Sequence, residues 1–345
     1  MVERPAIAVV VGAFGRRTHL VDAVRSVGAQ TIDRALFELV VVKDFADPAI
    51  EATLATAGAT VVESHETELP RFLLAGVRAS SAPLVTFLDD DDRYRPERLA
   101  RVLEVVRAHP DVGFYRNRVS VIDPGGAPVP APAWRPLETD AAFDASGPVW
   151  VPPDGKAGLA ELALGRTRVS FNSSSMAVRR ELLDGVGADR FAAQRLPDSA
   201  LFCLGALGPY GLYLDDRRLT EYRRHADSLT GRTGFLALGA DGYRRLAALA
   251  RGLGGPELAA RFAREGDHFE RMYRGRTVVE GVAADVGRSR VAARTAEYLR
   301  YLGRHPAERA LTLDVWGSAA YGVGYVVAPP LARRALAVRS AGGGA

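Results

Sequence analysis

Four aspartates stand side by side, Asp89, Asp90, Asp91 and Asp92, directly after the apolar run at residues 84–88 (LVTFL). Adjacent carboxylates repel. Two unit charges ~4 Å apart cost about 1 kcal/mol in water and about 4 kcal/mol at an effective dielectric of ~20. A fold does not gather four of them at the end of a strand for stability. A bound divalent cation removes the repulsion, and hard oxygen ligands suit Mg2+ or Mn2+, ions that keep waters and bridge substrate phosphates. The plainer alternative is N-capping of the helix that opens near Pro96, with help from its dipole. One Asp suffices for that, so the metal site is the preferred reading. Other chemistries lack their residues. The turn Gly12-Ala13-Phe14-Gly15 fails the spacing of a dinucleotide fingerprint, and neither a Walker A motif nor a GxSxG elbow occurs. The single Cys203 lies in an apolar stretch and reads as core. It excludes an internal disulfide and a four-cysteine zinc site.

The elements that must position these carboxylates follow from hydrophobic period. Residues 7–11 (IAVVV), 38–42 (ELVVV), 60–62 and 84–88 are short apolar runs, as buried parallel strands require. Between them, Leu20, Val24 and Val27 share one helical face, and Asp47-Pro48 reads as an N-cap with Pro at the first helical position, stopped at Gly58. A further helix falls within residues 70–80. Leu99, Val102, Leu103 and Val106 define one more, opened by Pro96 and ended by Pro110. Alternating strands and helices predict an α/β layer with a mostly parallel sheet, whose ligands bind beyond the carboxyl ends of the strands. Residues 123–154, rich in Pro and Gly and carrying Trp134 and Trp150, read as a long excursion, a candidate binding loop. Residues 169–178 (VSFNSSSMAV) read as a return to the sheet. From about Phe235 the period is helical, which places a domain change near residues 231–234. The expected division is residues 1–232 and 233–345.

Composition sets the outer bounds. The 345 residues are 48% hydrophobic and 25% charged, ordinary for a globular chain of one large or two smaller domains. No run of ~18–20 apolar residues occurs. The nearest candidate, residues 315–331, is uncharged but broken by three glycines and two prolines. Residues 7–11 are too short a run for a secretion signal, so a cytoplasmic location is expected. The formal net charge of +4 is uneven: from Thr233 onward there are 17 Arg and no Lys against 10 Asp and Glu. A basic end implies an acidic partner surface or a solvated Arg-rich helical face.

In these blocks the sequence resembles family 2 of the GT-A glycosyltransferases, which transfer sugars from nucleotide diphosphates. Its strand-loop signature stands at residues 9–16 (VVVGAFGR), its helix motif at Leu20, Ser26 and Gln30, and its "VVDDGS" at residues 41–46 (VVKDFA). Residues 76–99 (GVRASSAPLVTFLDDDDRYRPERL) carry the most specific block. The resemblance covers residues 5–110 well and continues weakly to about Thr230. It implies a GT-A fold with a mixed, mostly parallel central sheet, followed here by a C-terminal helical extension. It further implies a nucleotide-diphosphate sugar donor, Mn2+ or Mg2+ as cofactor, and an acceptor hydroxyl on a glycan or lipid-linked molecule.

Site residues are implied position by position. Asp89, Asp90 and Asp91 match the DxD region, with Asp89 and Asp90 toward the donor and Asp91, with Asp89, toward the metal; Asp92 reads as a supporting group or helix cap. Ala13, Phe14, Arg16 and Asp44 match the loop that embraces the nucleoside, against core packing for Phe14 and a turn cap for Asp44. Gly12, Ala13 and Gly15 depart from the usual Pro, Thr and Asn, and Lys43 and Phe45 interrupt the aspartate pattern. Leu73 and Leu74 replace Arg-Asn, leaving Arg71 as the nearest guanidinium for the donor. Inverting transfer needs a base for the acceptor hydroxyl. The match is Asp198, after Leu196-Pro197, with N-capping as its alternative and Asp215 and Asp216 as fallbacks in an expected turn. His225, in EYRRH, matches a position that completes the metal shell, while Arg223 and Arg224 offer a diphosphate clamp. Ser173, Ser174 and Ser175 with Arg179 and Arg180 fall on the acceptor side.

Two other functions compete: a degenerate member of the fold that binds nucleotide or glycan without transfer, and a nucleotidyltransferase. No nucleic-acid partner is expected. For the basic end, a peripheral contact with the inner face of a membrane stands beside a packed helical cap or a homo-oligomer contact.

Overall fold

In a computed structural model, residues 5–131, 147–156, 169–225, 233–305 and 312–342 are described. Within the first 131 residues the alternating periods become β1 (Ile7–Ala13), α1 (Leu20–Gly28), β2 (Phe37–Lys43), α2 (Pro48–Thr56), β3 (Thr60–Glu63), α3 (Leu69–Arg78), β4 (Leu84–Asp89), β5 (Arg93–Tyr94), α4 (Arg98–Ala108) and β6 (Val112–Ile122). Then come β7 (Val149–Val151), β8 (Met176–Arg179), α5 (Val186–Ala192), α6 (Pro197–Leu207) and β9 (Gly211–Arg223). The nine strands form one sheet in the order β3-β2-β1-β4-β8-β6-β9-β5, with β7 also on β9. β1 to β4 run parallel, β8 is antiparallel to both β4 and β6, and β6 is parallel to β9. This is the mixed, mostly parallel sheet of the GT-A fold.

The apolar periods account for the layers. All seven residues of β1 are buried, as a central strand covered on both faces requires. Leu20, Val24 and Val27 of α1 and Leu99, Val102 and Leu103 of α4 join its core cluster. Asp47 caps α2 by accepting from the Ala49 and Ile50 N–H groups at 3.1 and 3.2 Å. On α3, Gly76 lets the helix lie directly on the strands. A Cβ there would stand 2.5 Å from Val10 Cγ1 and 2.7 Å from Val42 Cγ2.

The family's helix motif has a structural meaning. Ser26 Oγ accepts from the Tyr94 N–H at 3.0 Å. Gln30 donates to the Arg95 carbonyl and accepts from the Leu99 N–H, both at 2.9 Å. The end of α1 therefore grips the chain just beyond the four aspartates. Below it, the fully buried Arg98 donates to Asn117 Oδ1 and Thr86 Oγ1, both at 2.9 Å, and lies 4.0 Å over the Tyr94 ring.

Several expectations change. Of residues 169–178 only β8 enters the sheet; Ser173–Ser175 is a 3-10 turn. Asp215 and Asp216 are not in a turn after a short strand. They lie inside β9, where the register jumps from Asn117↔Asp215 to Arg118↔Arg218 and bulges two residues out. Asp215 is fully buried and paired with Arg101 at 2.6 Å. Residues 132–146 of the long excursion, Trp134 among them, lie outside the described residues, as does the expected boundary at residues 231 and 232.

The remaining helices are α7 (Thr233–Gly252), α8 (Pro256–Ala283), α9 (Arg288–Arg304), α10 (Thr312–Val327) and α11 (Pro329–Gly342). The chain forms two compact units, one of residues 1–227 with 245–262, the other of residues 228–244 with 263–345. The second unit has small cores of its own, Val278, Tyr298, Tyr301, Leu302 and Ala319 in one, and Val282, Val291, Tyr325, Ala332 and Leu336 in another. Among the described residues no helix is long and apolar enough to cross a membrane.

Gly76→Ala tests the close approach of α3. Helix propensity favours Ala by about 1 kcal/mol, whereas overpacking a core costs about 1–3 kcal/mol. The net expectation is a lower urea midpoint. An unchanged or raised midpoint would show that the helix can shift off β1 without cost.

Candidate active site

Register brings the chemistry to one edge. Gly12 of β1 pairs with both Val42 of β2 and Asp89 of β4. The segments leaving these three adjacent strands carry Phe14 to Arg16, Asp44, and Asp89 to Asp92. They therefore emerge together at the carboxyl edge of the sheet. β5 then pairs Arg93 and Tyr94 with Glu221 and Thr220 of β9. That pairing returns the end of β9 to the acidic turn and sets His225 Nε2 2.9 Å from Asp91 Oδ2.

The four aspartates take different partners. Asp89 accepts from Ser173 Oγ at 3.1 Å, and its N–H donates to Ser174 Oγ at 3.0 Å. Asp90 Oδ1 and Asp91 Oδ2 are bridged by the two ends of the Arg16 guanidinium, at 2.5 and 2.6 Å. Asp92 accepts from Asn172 Nδ2 at 2.7 Å and from the Arg223 N–H at 2.9 Å. Arg223 also donates through Nε to the Asp91 carbonyl at 2.7 Å. One carboxylate oxygen from each of Asp89, Asp91 and Asp92 lies within 4.8 Å of the others. Three hard oxygens converging with an imidazole at hand are a fitting donor set for Mn2+ or Mg2+.

The electrostatics show how crowded the turn is. Burial, reinforced by Asp91, pushes the Asp89 carboxyl up to about 7. Burial pushes Asp90 up to about 8 even though Arg16 opposes it. Asp92 is raised well above the usual carboxylate range by burial and then by Asp91 and Asp89. The second Asp90 oxygen, Oδ2, is buried without a hydrogen-bond partner.

Asp198 sits nearby. It lies in the first turn of α6, whose N-cap position is Leu196, so plain N-capping does not describe it. Its Oδ1 accepts from the Ser199 N–H at 2.7 Å and its Oδ2 from the Asn172 N–H at 3.3 Å. Burial pushes its carboxyl up to about 6, against those backbone donors. Asn172 thus touches both Asp92 and Asp198. It does so with φ at +68°, a conformation uncommon outside glycine that Asn tolerates better than most residues. Nothing in the reading of the sequence singled Asn172 out; only its place before a serine run hinted at a turn.

The remaining candidates are placed as follows. Phe14 is 37% exposed and meets the Phe72 ring edge-on at 5.1 Å, and Ala13 is buried at the end of β1. Asp44 Oδ1 accepts from the Gly15 N–H at 3.0 Å, tying the two loops together, and Gly15 holds a φ of +69°. Lys43, a departure from the family pattern, is buried and donates to the Phe45 carbonyl at 2.7 Å and to Glu51 and Glu63. Arg71 is exposed on α3 and donates to the Ala192 carbonyl; the guanidinium that reaches the acidic turn is Arg16. Asp92 caps no helix, because the N-cap position of α4 is Glu97.

Arg223, read as half of a diphosphate clamp, and Arg179 and Arg180, read on the acceptor side, are each tied into the fold. Arg223 is buried, bound to the Asp91 and Pro124 carbonyls and to Asp22. Arg179 ties to the Val112 and Pro110 carbonyls, and Arg180 to the Ala82 and Val77 carbonyls and Ser80. His19, which showed no ligand spacing in sequence, lies 5.5 Å from the His225 ring.

The sequence profile of glycosyl transferase family 2 matches residues 8–184, just over half of the chain, and the chain belongs to that family. An uncharacterized glycosyltransferase of Haemophilus influenzae is 26% identical over 110 residues. That alignment spans 31% of this chain and 37% of the relative. Among solved structures, S. aureus TarS in complex with UDP-GlcNAc superposes with a TM-score of 0.58 at 14% identity, covering 96% of this chain and 90% of that one. The mannosyltransferase PcManGT from Pyrobaculum calidifontis, in complex with GDP-Man and Mn2+, superposes with a TM-score of 0.52 at 16% identity, covering 96% and 87%. These likenesses are of fold.

The raised carboxyls set a pH dependence. Unfolded aspartate titrates near 4, whereas Asp89 and Asp90 titrate at about 7 and 8 when folded. Between those limits the folded state holds more protons, so stability falls as pH rises. The melting temperature of metal-free protein is expected to decline from about pH 4 to about pH 8. Mn2+ should raise it more at the upper end, and Asp90→Asn should flatten the decline. A pH-independent melting temperature with no response to Mn2+ would contradict this account of the turn.

Proposed function

We propose that the protein is a metal-dependent inverting glycosyltransferase that moves a sugar from a nucleotide diphosphate to an acceptor hydroxyl. The observation that carries this reading is the convergence of Asp89, Asp91 and Asp92 at the carboxyl edge of a family 2 sheet, with the half-buried carboxylate of Asp198 on the same network. The nucleotide-sugars bound by TarS and PcManGT, and the Mn2+ of the latter, support the donor class and the cation.

A cation held by Asp91 and Asp89, with His225 beside them, would neutralise the diphosphate as it leaves. The residues of the chain do the rest. Phe14 offers a half-exposed ring and Asp44 a carboxylate at the end of the site where the nucleoside belongs. Asp198 takes the proton of the acceptor hydroxyl as its oxygen attacks the anomeric carbon. The bond from that carbon to the diphosphate oxygen breaks as the new one forms, and configuration inverts. A base titrating at about 6 is matched to this work, since it is ionised at neutral pH yet retains affinity for a proton. Asn172 holds Asp198 in register with Asp92.

Purified protein with Mn2+ and a panel of nucleotide-sugars should release nucleoside diphosphate from one donor, rising with pH through about 6 as Asp198 ionises. Asp198→Asn is expected to lower kcat by roughly 10²–10⁴-fold with little change in donor KM, and Asp91→Ala to abolish release. Pyrophosphate as product would instead identify a nucleotidyltransferase. Donor binding without turnover, unchanged in Asp198→Asn, would identify a binding module.

A further inference from the structure

We propose that Arg16 is the chain's own counter-ion for the acidic turn, and that it passes from carboxylate to diphosphate when a cation binds. Asp91 Oδ2 is claimed twice, by Arg16 Nη1 at 2.6 Å and by His225 Nε2 at 2.9 Å. The other end of the same guanidinium holds Asp90 Oδ1 at 2.5 Å. Asp91 is also one of the three carboxylates whose oxygens converge. A guanidinium and a divalent cation at contact distance on one carboxylate repel each other, so each weakens the other's hold. A cation that takes up the Asp91 carboxylate therefore favours withdrawal of Arg16.

Arg16 is built to do so. Its loop is held by the hydrogen bond from the Gly15 N–H to Asp44, not by the arginine itself. Its side chain is 34% exposed, so leaving Asp91 empties no core. By contrast Arg223, which also serves this turn, is fully buried and tied to backbone carbonyls. A released Arg16 stays at the mouth of the site, where a guanidinium fork matches two phosphate oxygens. The cation and the diphosphate then tighten each other by the same factor, as linkage requires. The diphosphate half of this inference rests on the donor proposed above; the competition between Arg16 and a cation does not.

The test is Mn2+ binding without donor, followed by electron paramagnetic resonance. Arg16→Gln is expected to bind Mn2+ about tenfold more tightly than wild type, within the usual range of site-to-site coupling. Arg16→Lys, which keeps a charge there, should fall between. At saturating Mn2+, Arg16→Gln should bind UDP and GDP more weakly by a similar factor. A merely structural arginine would weaken Mn2+ binding when lost. Near-UV circular dichroism checks that each variant is folded. Equal or weaker Mn2+ binding in Arg16→Gln overturns the counter-ion role alone. Absence of Mn2+ binding in wild type and in every variant overturns it together with the metal reading.

A separate observation concerns the second unit, where the geometry points to a docking surface for an anionic bilayer. Val323 and Val327, one turn apart on α10, are 50% and 75% exposed, and Leu331 at the start of α11 is 68% exposed. They flank the Ala328-Pro329-Pro330 bend. Exposed apolar side chains gathered this way mark a contact. From Val315 to Leu331 the chain carries no charge, and Arg333 and Arg334 follow, both exposed. Arg333 is paired with Asp285 at 2.8 Å. A second copy would bring its own excess of arginine against this one, 17 Arg against 10 acidic residues from Thr233 onward. Anionic headgroups complement that charge while the acyl boundary takes the apolar tips.

Flotation with phosphatidylglycerol-containing vesicles should carry the full chain, and pure phosphatidylcholine vesicles should not. Leu331→Glu with Val327→Glu should abolish flotation, and Arg334→Gln or added salt should weaken it. Failure to float, or light scattering that shows a dimer dissolved by Leu331→Glu, overturns the membrane surface.

Discussion

Mutual repulsion among carboxylates at the end of β4 is the constraint to which the rest of the first unit is fitted. Each neighbour that closes on the turn brings a donor or a positive charge. Arg16 arrives from β1, Arg223 and His225 from β9, and Asn172, Ser173 and Ser174 from the turn before β8. Even so, Asp89, Asp90 and Asp92 keep raised proton affinities, and one oxygen of Asp90 has no partner. The fold compensates the charge only in part. Such residual imbalance fits the cation and anionic leaving group proposed above.

Buried and half-buried guanidiniums show how the sheet tolerates this load. Arg98, Arg180 and Arg223 each spread several donors over carbonyls and side chains of different elements, and Arg101 closes on the buried Asp215. A planar fork can satisfy two or three acceptors at fixed angles, which an ammonium on a flexible stem does less well. The buried Lys43 is held by the Phe45 carbonyl and two glutamates, so the departure from the family's aspartate pattern rigidifies the loop that follows β2. Arginine in this chain is thus as much a joint of the fold as a ligand-binding side chain.

The second unit follows different physics. Its helices approach closely at small residues: a Cβ on Gly322 would stand 2.1 Å from Thr295 Oγ1 and 2.7 Å from Val278 Cγ1. Its cores are small and aromatic-rich, and its charged surface is dominated by arginine. None of this resembles the strand-edge chemistry of the first unit, and the matched family profile stops at residue 184.

Hydrophobic period alone determined the alternating layer, since β1, β2, β4, α1 and α4 bury the residues their spacing marks. Local chemistry alone determined the cap at Asp47, the core position of Cys203 and the acidic turn itself. These are legible because the forces involved act within a few residues. What the tertiary structure decided is which charges meet. The pairing of β5 with β9 brings His225 to Asp91 across 134 positions of sequence, and the parallel register of β1 with β4 brings Arg16 to Asp90 across 74. The pairing of buried Asp215 with Arg101 and the strained Asn172 that joins Asp92 to Asp198 likewise bring together residues far apart in sequence. Register depends on how whole faces pack, and no local pattern encodes which distant arginine a carboxylate will find.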